Sequence, residues 1–268
     1  TTIQSANDAA ITLAEAIGNG SVDEFVKQMN EEAKRLGMKH THFNNPTGIS
    51  SNGHVSTVGD LAILAAALIN DYPKYYPLFA NKSFKYNNIE QPNRNLLLYR
   101  DSSIDGLKTG YSEGAGYHLA ASSKRNNRRI VSILAGAEST EARASESSKL
   151  LNWSLQAFDT PKLYNGGEVI SQVKVYKGST KAVDIGFLDD VYITIPHDTG
   201  KNVKPILETL QPVLAPIEKG QVLGKLKVMK DGKIIAEKDV VALTGVEEGS
   251  WLRRMWDAIV LWFKGLFS

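Results

Sequence analysis

Cysteine is missing from all 268 residues. Its absence excludes disulfides, thiol catalysis and cysteine-ligated zinc, and it fits an oxidising compartment. Charge imbalance is nearly missing too: 31 Lys+Arg stand against 29 Asp+Glu, a formal net charge of +2. A chain so close to neutral carries no basic footprint for nucleic acid. Long apolar runs are lacking: the run Ala258 to Phe263 is far short of the roughly 20 residues that cross a bilayer. No signal-peptide pattern opens the chain, which begins Thr1-Thr2-Ile3-Gln4 directly before a helix-like stretch. A mature or truncated product is expected from that start. His40, His42 and His54 lack the i, i+4 spacing and acidic company of a helical zinc site, so neither metal nor cofactor is expected.

What remains is an ordinary globular composition, 42% apolar and 22% charged, long enough for one large domain or two smaller ones. Thr2 to Ile17 has small and branched apolar residues at helical spacing and predicts a buried helix, capped by Asn7 or Asp8 and ended by Gly18. Ser21-Val22-Asp23-Glu24 reads as a capping box for a second helix whose face is Phe25, Val26, Met29, Ala33 and Leu36. Lys39 to Gly53 is loop-like around Asn44-Asn45-Pro46-Thr47-Gly48. Ser56 or Thr57 caps a third helix, which Tyr72-Pro73 ends.

Asn87-Asn88 between Phe84-Lys85-Tyr86 and Ile89 predicts a hairpin. Three antiparallel strands follow: one through Ile104–Tyr111, then His118 to Lys124 and Arg129 to Ala137, the last two joined through Asn126-Asn127. The first carries Lys108-Thr109-Gly110. A cation, a hydroxyl and a residue without a side chain on an edge strand can hold an anionic, peptide-like ligand, because glycine lets a foreign backbone lie close. Ser139 to Phe158 predicts a long helix with Ala142, Leu150, Leu151 and Leu155 as its buried stripe.

Asp159-Thr160-Pro161 marks a boundary. Beyond it, short alternating runs with turns at Asn165-Gly166, Lys177-Gly178 and Asp231-Gly232 predict an all-β domain ending near Leu243. The tail from Trp251 to Phe267 is amphipathic. Trp251, Leu252, Met255, Trp256, Ile259, Val260, Trp262, Phe263, Leu266 and Phe267 share one half of a helical wheel; Arg253, Asp257 and Lys264 share a narrow wedge opposite. Three of the four tryptophans fall here. Trp251, Trp256, Trp262 and Phe263 are therefore the expected anchors of a helix lying flat on a membrane surface; the alternative is a terminal helix packed on the protein.

Ser5-Ala6-Asn7-Asp8-Ala9-Ala10, His42 to Ile49, Asn93-Arg94-Asn95 and Asp105 to Gly110, followed by an all-β domain and an amphipathic tail, together resemble the low-molecular-mass penicillin-binding D-alanyl-D-alanine carboxypeptidases of bacteria. The resemblance spans essentially the whole chain. It implies an α+β fold: a penicillin-binding transpeptidase or β-lactamase-like domain over residues 1–158, incomplete in this chain, a small all-β domain over 162–245, and a C-terminal amphipathic helix over 249–268. The implied reaction is removal of the terminal D-alanine from peptidoglycan stem peptides through an acyl-enzyme, with β-lactams as covalent inhibitors, on the periplasmic face of the bacterial inner membrane.

By the same resemblance Ser5 relays a proton and Asn7 binds the substrate amide. Lys108 and Thr109 hold the substrate carboxylate beside Gly110. The N–H of Tyr111 is half of an oxyanion hole, Arg143 recognises the terminal carboxylate, and Arg94 lies near the site. One part of the family pattern departs. The nucleophilic Ser-x-x-Lys belongs upstream of Ser5, and the single match here, Ser171-Gln172-Val173-Lys174, sits in strand-like sequence where serine and lysine are not one helical turn apart. The chain is expected to be the C-terminal portion of a longer polypeptide, without acylation activity of its own. Two alternatives stay open: a non-catalytic peptidoglycan-binding or membrane-scaffold protein of the same fold, and a class A β-lactamase.

Overall fold

The computed structural model describes residues 1–126, 128–197 and 203–266. They divide into two compact units, Thr1–Leu155 and Gln156–Ser268.

The first unit begins with α1 (Asn7–Ile17), α2 (Val22–Arg35) and α3 (Val58–Asp71), then a short 3-10 turn, Tyr76–Ala80. The hairpin β1 (Ser83–Tyr86) and β2 (Ile89–Pro92) follows, turning through Asn87 and Asn88, both at positive φ. One helical turn, α4 (Leu97–Arg100), leads into the meander β3 (Ile104–Ser112), β4 (Gly116–Arg125) and β5 (Arg128–Ala137), closed by α5 (Thr140–Ala157). This sheet carries apolar clusters on both sides. Leu97, Leu98, Ile104, Leu119 and Ala121 pack with Ala144 and Leu151 of α5. Leu107 packs with Tyr76 and with Ala65, Leu68 and Ile69 of α3. Helices on both faces of a sheet give three layers, with β3 at the sheet's edge among the described residues.

Several expectations are corrected here. α1 is not buried: Ala14 alone of its apolar residues is enclosed, while Ile11, Leu13 and Ile17 are exposed. Periodicity marks the face that can be covered, not what covers it. Neither Asn7 nor Asp8 caps α1; its N-cap is Ala6, with no side-chain bond, and Asp8 accepts only from the next N–H, Ala9. The capping box of α2 is half made. Ser21 Oγ accepts the Glu24 N–H at 3.3 Å, but the Glu24 carboxylate pairs with Lys27. Thr57, not Ser56, caps α3 through the Asp60 N–H. On α5 the buried stripe is Arg143, Ala144, Ser147 and Leu151, and Leu150 is exposed. A buried arginine had displaced the apolar phase by one position. Asn127 of the predicted turn lies outside the described residues.

The second unit is all-β before its final helix. Its strands are β6 (Phe158–Asp159), β7 (Lys162–Tyr164), β8 (Val169–Tyr176), β9 (Ala182–Gly186), β10 (Val191–Tyr192), β11 (Ile195–Pro196), β12 (Lys204–Thr209), β13 (Val213–Leu214), β14 (Val222–Lys230) and β15 (Lys233–Ala242). Six form one sheet in the order β12-β14-β15-β9-β8-β13, antiparallel except for β13 beside β8. Val173, Val183, Ile185, Leu223, Leu226 and Val240 fill its core. Alternation is visible along β8, where Val173 and Val175 are buried and Gln172 and Lys174 exposed.

α6 (Trp251–Leu266) ends the unit; Phe267 lies outside the described residues. Its polar wedge turns inward. Arg253 donates to the carbonyls of Ser179 and Thr180, Asp257 accepts the Lys177 N–H at 2.5 Å, and Lys264 Nζ meets the Tyr176 hydroxyl at 3.1 Å. The apolar half faces out, with Trp251 65%, Trp256 66%, Trp262 63% and Phe263 53% exposed. The helix is therefore packed on its own unit by the polar side, and its apolar side is left over. No helix among the described residues is long and apolar enough to cross a membrane.

Candidate active site

The edge strand β3 brings the Lys-Thr-Gly motif to the start of the chain. Lys108 Nζ donates to Ser5 Oγ and to the carbonyl of Thr109, the second at 2.6 Å. These residues are 103 positions apart, and the ammonium joins them directly. Ser5 sits at φ 58°, a left-handed conformation that costs a non-glycine residue about 1 kcal/mol. A backbone bond from its N–H to the Thr1 carbonyl, at 3.0 Å, closes the turn that holds it there.

Two arginines complete a cationic cluster. Arg143 is 4% exposed, not on a solvated helix face, and donates to the carbonyls of Arg94 (3.1 Å), Gly110 (3.3 Å) and His118 (3.4 Å). It also lies 5.7 Å over the Tyr117 ring. Arg94 is exposed, its Nε donating to Gln4 Oε1 at 3.1 Å. Burial, then the charges of Arg94 and Arg143, push the Lys108 ammonium down to about 8. Burial and Arg94 likewise lower Arg143. None of the three cations has a carboxylate partner among the described residues. Such a cluster is unfavourable for the folded chain alone and favourable for an anion that enters it.

The other expected site residues are placed as follows. Asn7 opens α1, exposed, with its side-chain amide making no hydrogen bond among the described residues. Thr109 is 8% exposed, and its hydroxyl likewise has no hydrogen bond. Gly110 pairs across the ladder with His118, whose side chain would be in ordinary van der Waals contact, at 3.5 Å, with a Cβ at that position. Tyr111 is exposed and packs on Tyr117, ring centroids 4.4 Å apart. Ser171 and Lys174 lie on β8, which no helical turn brings together. In the His42–Ile49 loop, Asn45 Oδ1 accepts the N–H groups of Thr47 and Gly48 and the Thr47 hydroxyl. His54 Nδ1 accepts the Asn44 N–H at 3.1 Å.

Gln4, Arg129 and Tyr76 escaped sequence reasoning, and Asn93 and Asn95 were read there only as part of the Asn-Arg-Asn stretch. Gln4 joins the site to the hairpin, donating to the Pro92 carbonyl at 2.5 Å while accepting from Arg94. Asn93 and Asn95 are buried and hold the backbone around Arg94: Asn95 Nδ2 reaches the Gly106 carbonyl of β3 at 3.2 Å, and Asn93 Nδ2 the Asn81 carbonyl at 2.9 Å. Behind β3, Arg129 grips Asp105 at 2.7 Å, and the Tyr76 hydroxyl donates to Asp105 at 3.0 Å. Burial of that phenol pushes it up to about 12. The β-bulge lies at Asp105, so this group fixes the register that carries Lys108 forward. The Asn-Arg-Asn triplet was the available signal, since paired asparagines favour irregular backbone.

A three-layer α+β unit with a cationic edge strand, followed by an all-β unit, defines the class: a serine-peptidase-like fold joined to an all-β domain. The model described as D-alanyl-D-alanine carboxypeptidase matches residues 1–139, and that of the penicillin-binding protein 5 C-terminal domain matches residues 158–248. The chain belongs to the D-alanyl-D-alanine carboxypeptidase family. It is 40% identical to the carboxypeptidase DacA of Haemophilus influenzae, over 99% of this chain and 68% of that protein. Penicillin-binding protein 5 of the same organism has a solved structure that superposes with a TM-score of 0.81 at 39% identity, covering 91% of this chain and 72% of the other. A third relative, penicillin-binding protein D2 from Listeria monocytogenes in its ampicillin-bound form, gives 0.52 at 34% identity over 56% of this chain and 62% of the other. The chain thus spans about two thirds of the length of its curated relative.

Proposed function

We propose that this chain supplies the substrate-holding half of a serine D-Ala-D-Ala carboxypeptidase. The observation that carries the reading is the trio Lys108, Arg94 and Arg143, converging on the edge of β3 with no carboxylate of their own. A stem peptide ending in D-Ala-D-Ala lays its backbone along β3 and its terminal carboxylate against Lys108. The nucleophilic serine comes from outside these residues, a reading supported by the strand position of the chain's one Ser-x-x-Lys. Its Oγ attacks the penultimate carbonyl, an ester forms, and D-alanine leaves after receiving a proton at its nitrogen. Water then hydrolyses the ester. Ser5, already bonded to Lys108 Nζ, relays that proton. Asn7 binds the substrate amide, Thr109 assists at the carboxylate, and the Tyr111 N–H serves the oxyanion. Arg143 spends donors on three backbone carbonyls, so its part is to raise the potential and hold Gly110; Arg94, exposed, is better placed to touch the carboxylate. β-Lactams, which carry an equivalent carboxylate, acylate the same serine.

The test is acylation of the complete protein by a fluorescent penicillin. Lys108→Ala should slow it roughly thirtyfold, about 2 kcal/mol for a lost charged hydrogen bond. Labelling at the unmodified rate ends the role given to Lys108. The rival, a binding protein with this groove and no nucleophile, is decided by the intact mass of the native protein after penicillin treatment: no added penicilloyl mass favours the rival.

α6 is proposed to lie on a membrane surface, the support being its docked polar wedge and its outward tryptophans. Because the substrate is cell-wall peptide, the surface is the periplasmic face of the inner membrane. Sedimentation with vesicles before and after removal of residues 251–268 tests this; unchanged association refutes it.

A further inference from the structure

Where α6 meets the β domain there is a cavity of about 440 Å³. That lies within the roughly 300–1,000 Å³ of small-molecule sites. Its walls include Lys177, Leu214, Glu248, Trp251, Arg254 and Met255. The chemistry is divided between them. Leu214, Trp251 and Met255 are apolar, and all three are exposed, so the cavity opens onto the apolar face of α6.

The charged walls do not cancel. Arg254 is bonded to Glu248, which neutralises that pair. The other nearby acid, Asp257, is occupied by the backbone N–H of Lys177. The Lys177 ammonium itself has no hydrogen bond or ion pair among the described residues. The Lys177 backbone N–H is held by Asp257 at 2.5 Å and its carbonyl by the Gly249 N–H at 2.8 Å, with φ at 60°. Lys177 thus stands beside an apolar wall, its backbone tied to Asp257 of α6 and to Gly249 just before that helix.

We propose that this cavity is a headgroup site for an anionic glycerophospholipid. Lys177 Nζ binds the phosphodiester, while Trp251, Met255 and Leu214 line the glycerol and the first acyl carbons. The proposal rests on the reading that α6 lies on a membrane. A lipid fits better than a free inorganic anion because half the wall is apolar, which a bare phosphate would leave unused. Basic side chains also outnumber acidic ones in the segments meeting here: Lys174, Lys177, Lys181, Arg253, Arg254 and Lys264 against Glu247, Glu248 and Asp257. That balance suits an anionic surface.

The experiment is vesicle flotation of the full chain, comparing phosphatidylcholine alone with phosphatidylcholine and phosphatidylglycerol in equal parts. The unmodified chain should bind both, the mixed vesicles more tightly. Lys177→Ala should weaken binding to the mixed vesicles about tenfold, as for loss of a charged hydrogen bond, and leave binding to phosphatidylcholine unchanged. Lys181→Ala, removing equal charge outside the cavity, should cost about twofold at most. Equal losses for the two lysine variants would mean a diffuse field and overturn the site. Equal loss of Lys177→Ala on both vesicle types would mean a structural role and overturn it too. So would competition by inorganic phosphate at constant ionic strength, which indicates a soluble-anion site. An unmodified chain that floats with neither vesicle refutes the membrane reading itself, a failure distinct from the others.

Discussion

At the edge of β3 in the first unit, charged groups stand close together, Arg143 buried, Lys108 partly buried and Arg94 exposed; on α6 of the second, large aromatic side chains stand in solvent. The two regions depart from the ordinary distribution of polar and apolar groups in opposite senses. Lys108, Arg94 and Arg143 crowd like charges at β3, and burial together with these neighbouring charges lowers the pKa of Lys108 and of Arg143. α6 turns Arg253, Asp257 and Lys264 toward protein and leaves Trp256 and Trp262 uncovered. An ion cluster without counter-ions and an apolar face without a cover are each relieved only by something that binds, an anion in one case and an apolar surface in the other. The difference between them is one of assembly. The groove is collected from four places in the chain, whereas the outward face of α6 is one continuous helix.

That contrast can be broken by mutation. The largest effect is expected for Arg143→Ala. It leaves the Arg94, Gly110 and His118 carbonyls without their buried donor and should lower stability by about 3 kcal/mol in urea unfolding. A loss below 1 kcal/mol would mean that water replaces the guanidinium and that the groove is less enclosed than described. Next, Trp256→Glu with Trp262→Glu should weaken vesicle binding by roughly 2 kcal/mol, about thirtyfold. The melting temperature should not move, because both rings are exposed. A drop in melting temperature would assign the apolar face to folding and erase the contrast.

Asp257→Ala removes the acceptor that ties Lys177 to α6 and should cost about 1 kcal/mol, read as faster amide exchange along the helix. Smallest is the pH effect. Lys108 titrates near 8 in the folded protein and higher when unfolded. The native state therefore releases this proton first, and Lys108's contribution to stability rises with pH across that interval, after a net penalty below it. Function runs the other way: kcat/KM of the complete protein should fall as pH rises through about 8 and the ammonium is lost. Arg94→Gln removes one cause of the depression and should move that falling limb upward by part of a pH unit. A limb that stays in place would mean that Arg94's charge is not felt at Lys108.

Much of this was readable along the chain because it depends on local order. A motif such as Lys108-Thr109-Gly110, the hairpin turn at Asn87-Asn88, the alternation of β8 and the amphipathic period of α6 are properties of neighbouring residues, which share one backbone and one period. Which side of an amphipathic element faces inward is not such a property. α1 has an apolar face that stays exposed, α5 encloses Arg143 and Ala144 where Ala142 and Leu150 were expected, and α6 docks by its polar wedge. Those outcomes depend on what distant segments present: three backbone carbonyls awaiting a donor around Arg143, and the Ser179 and Thr180 carbonyls awaiting Arg253. Local pattern assigns each segment its type and its two faces; the choice between those faces belongs to long-range hydrogen bonding, because buried backbone groups must find partners wherever the fold provides them.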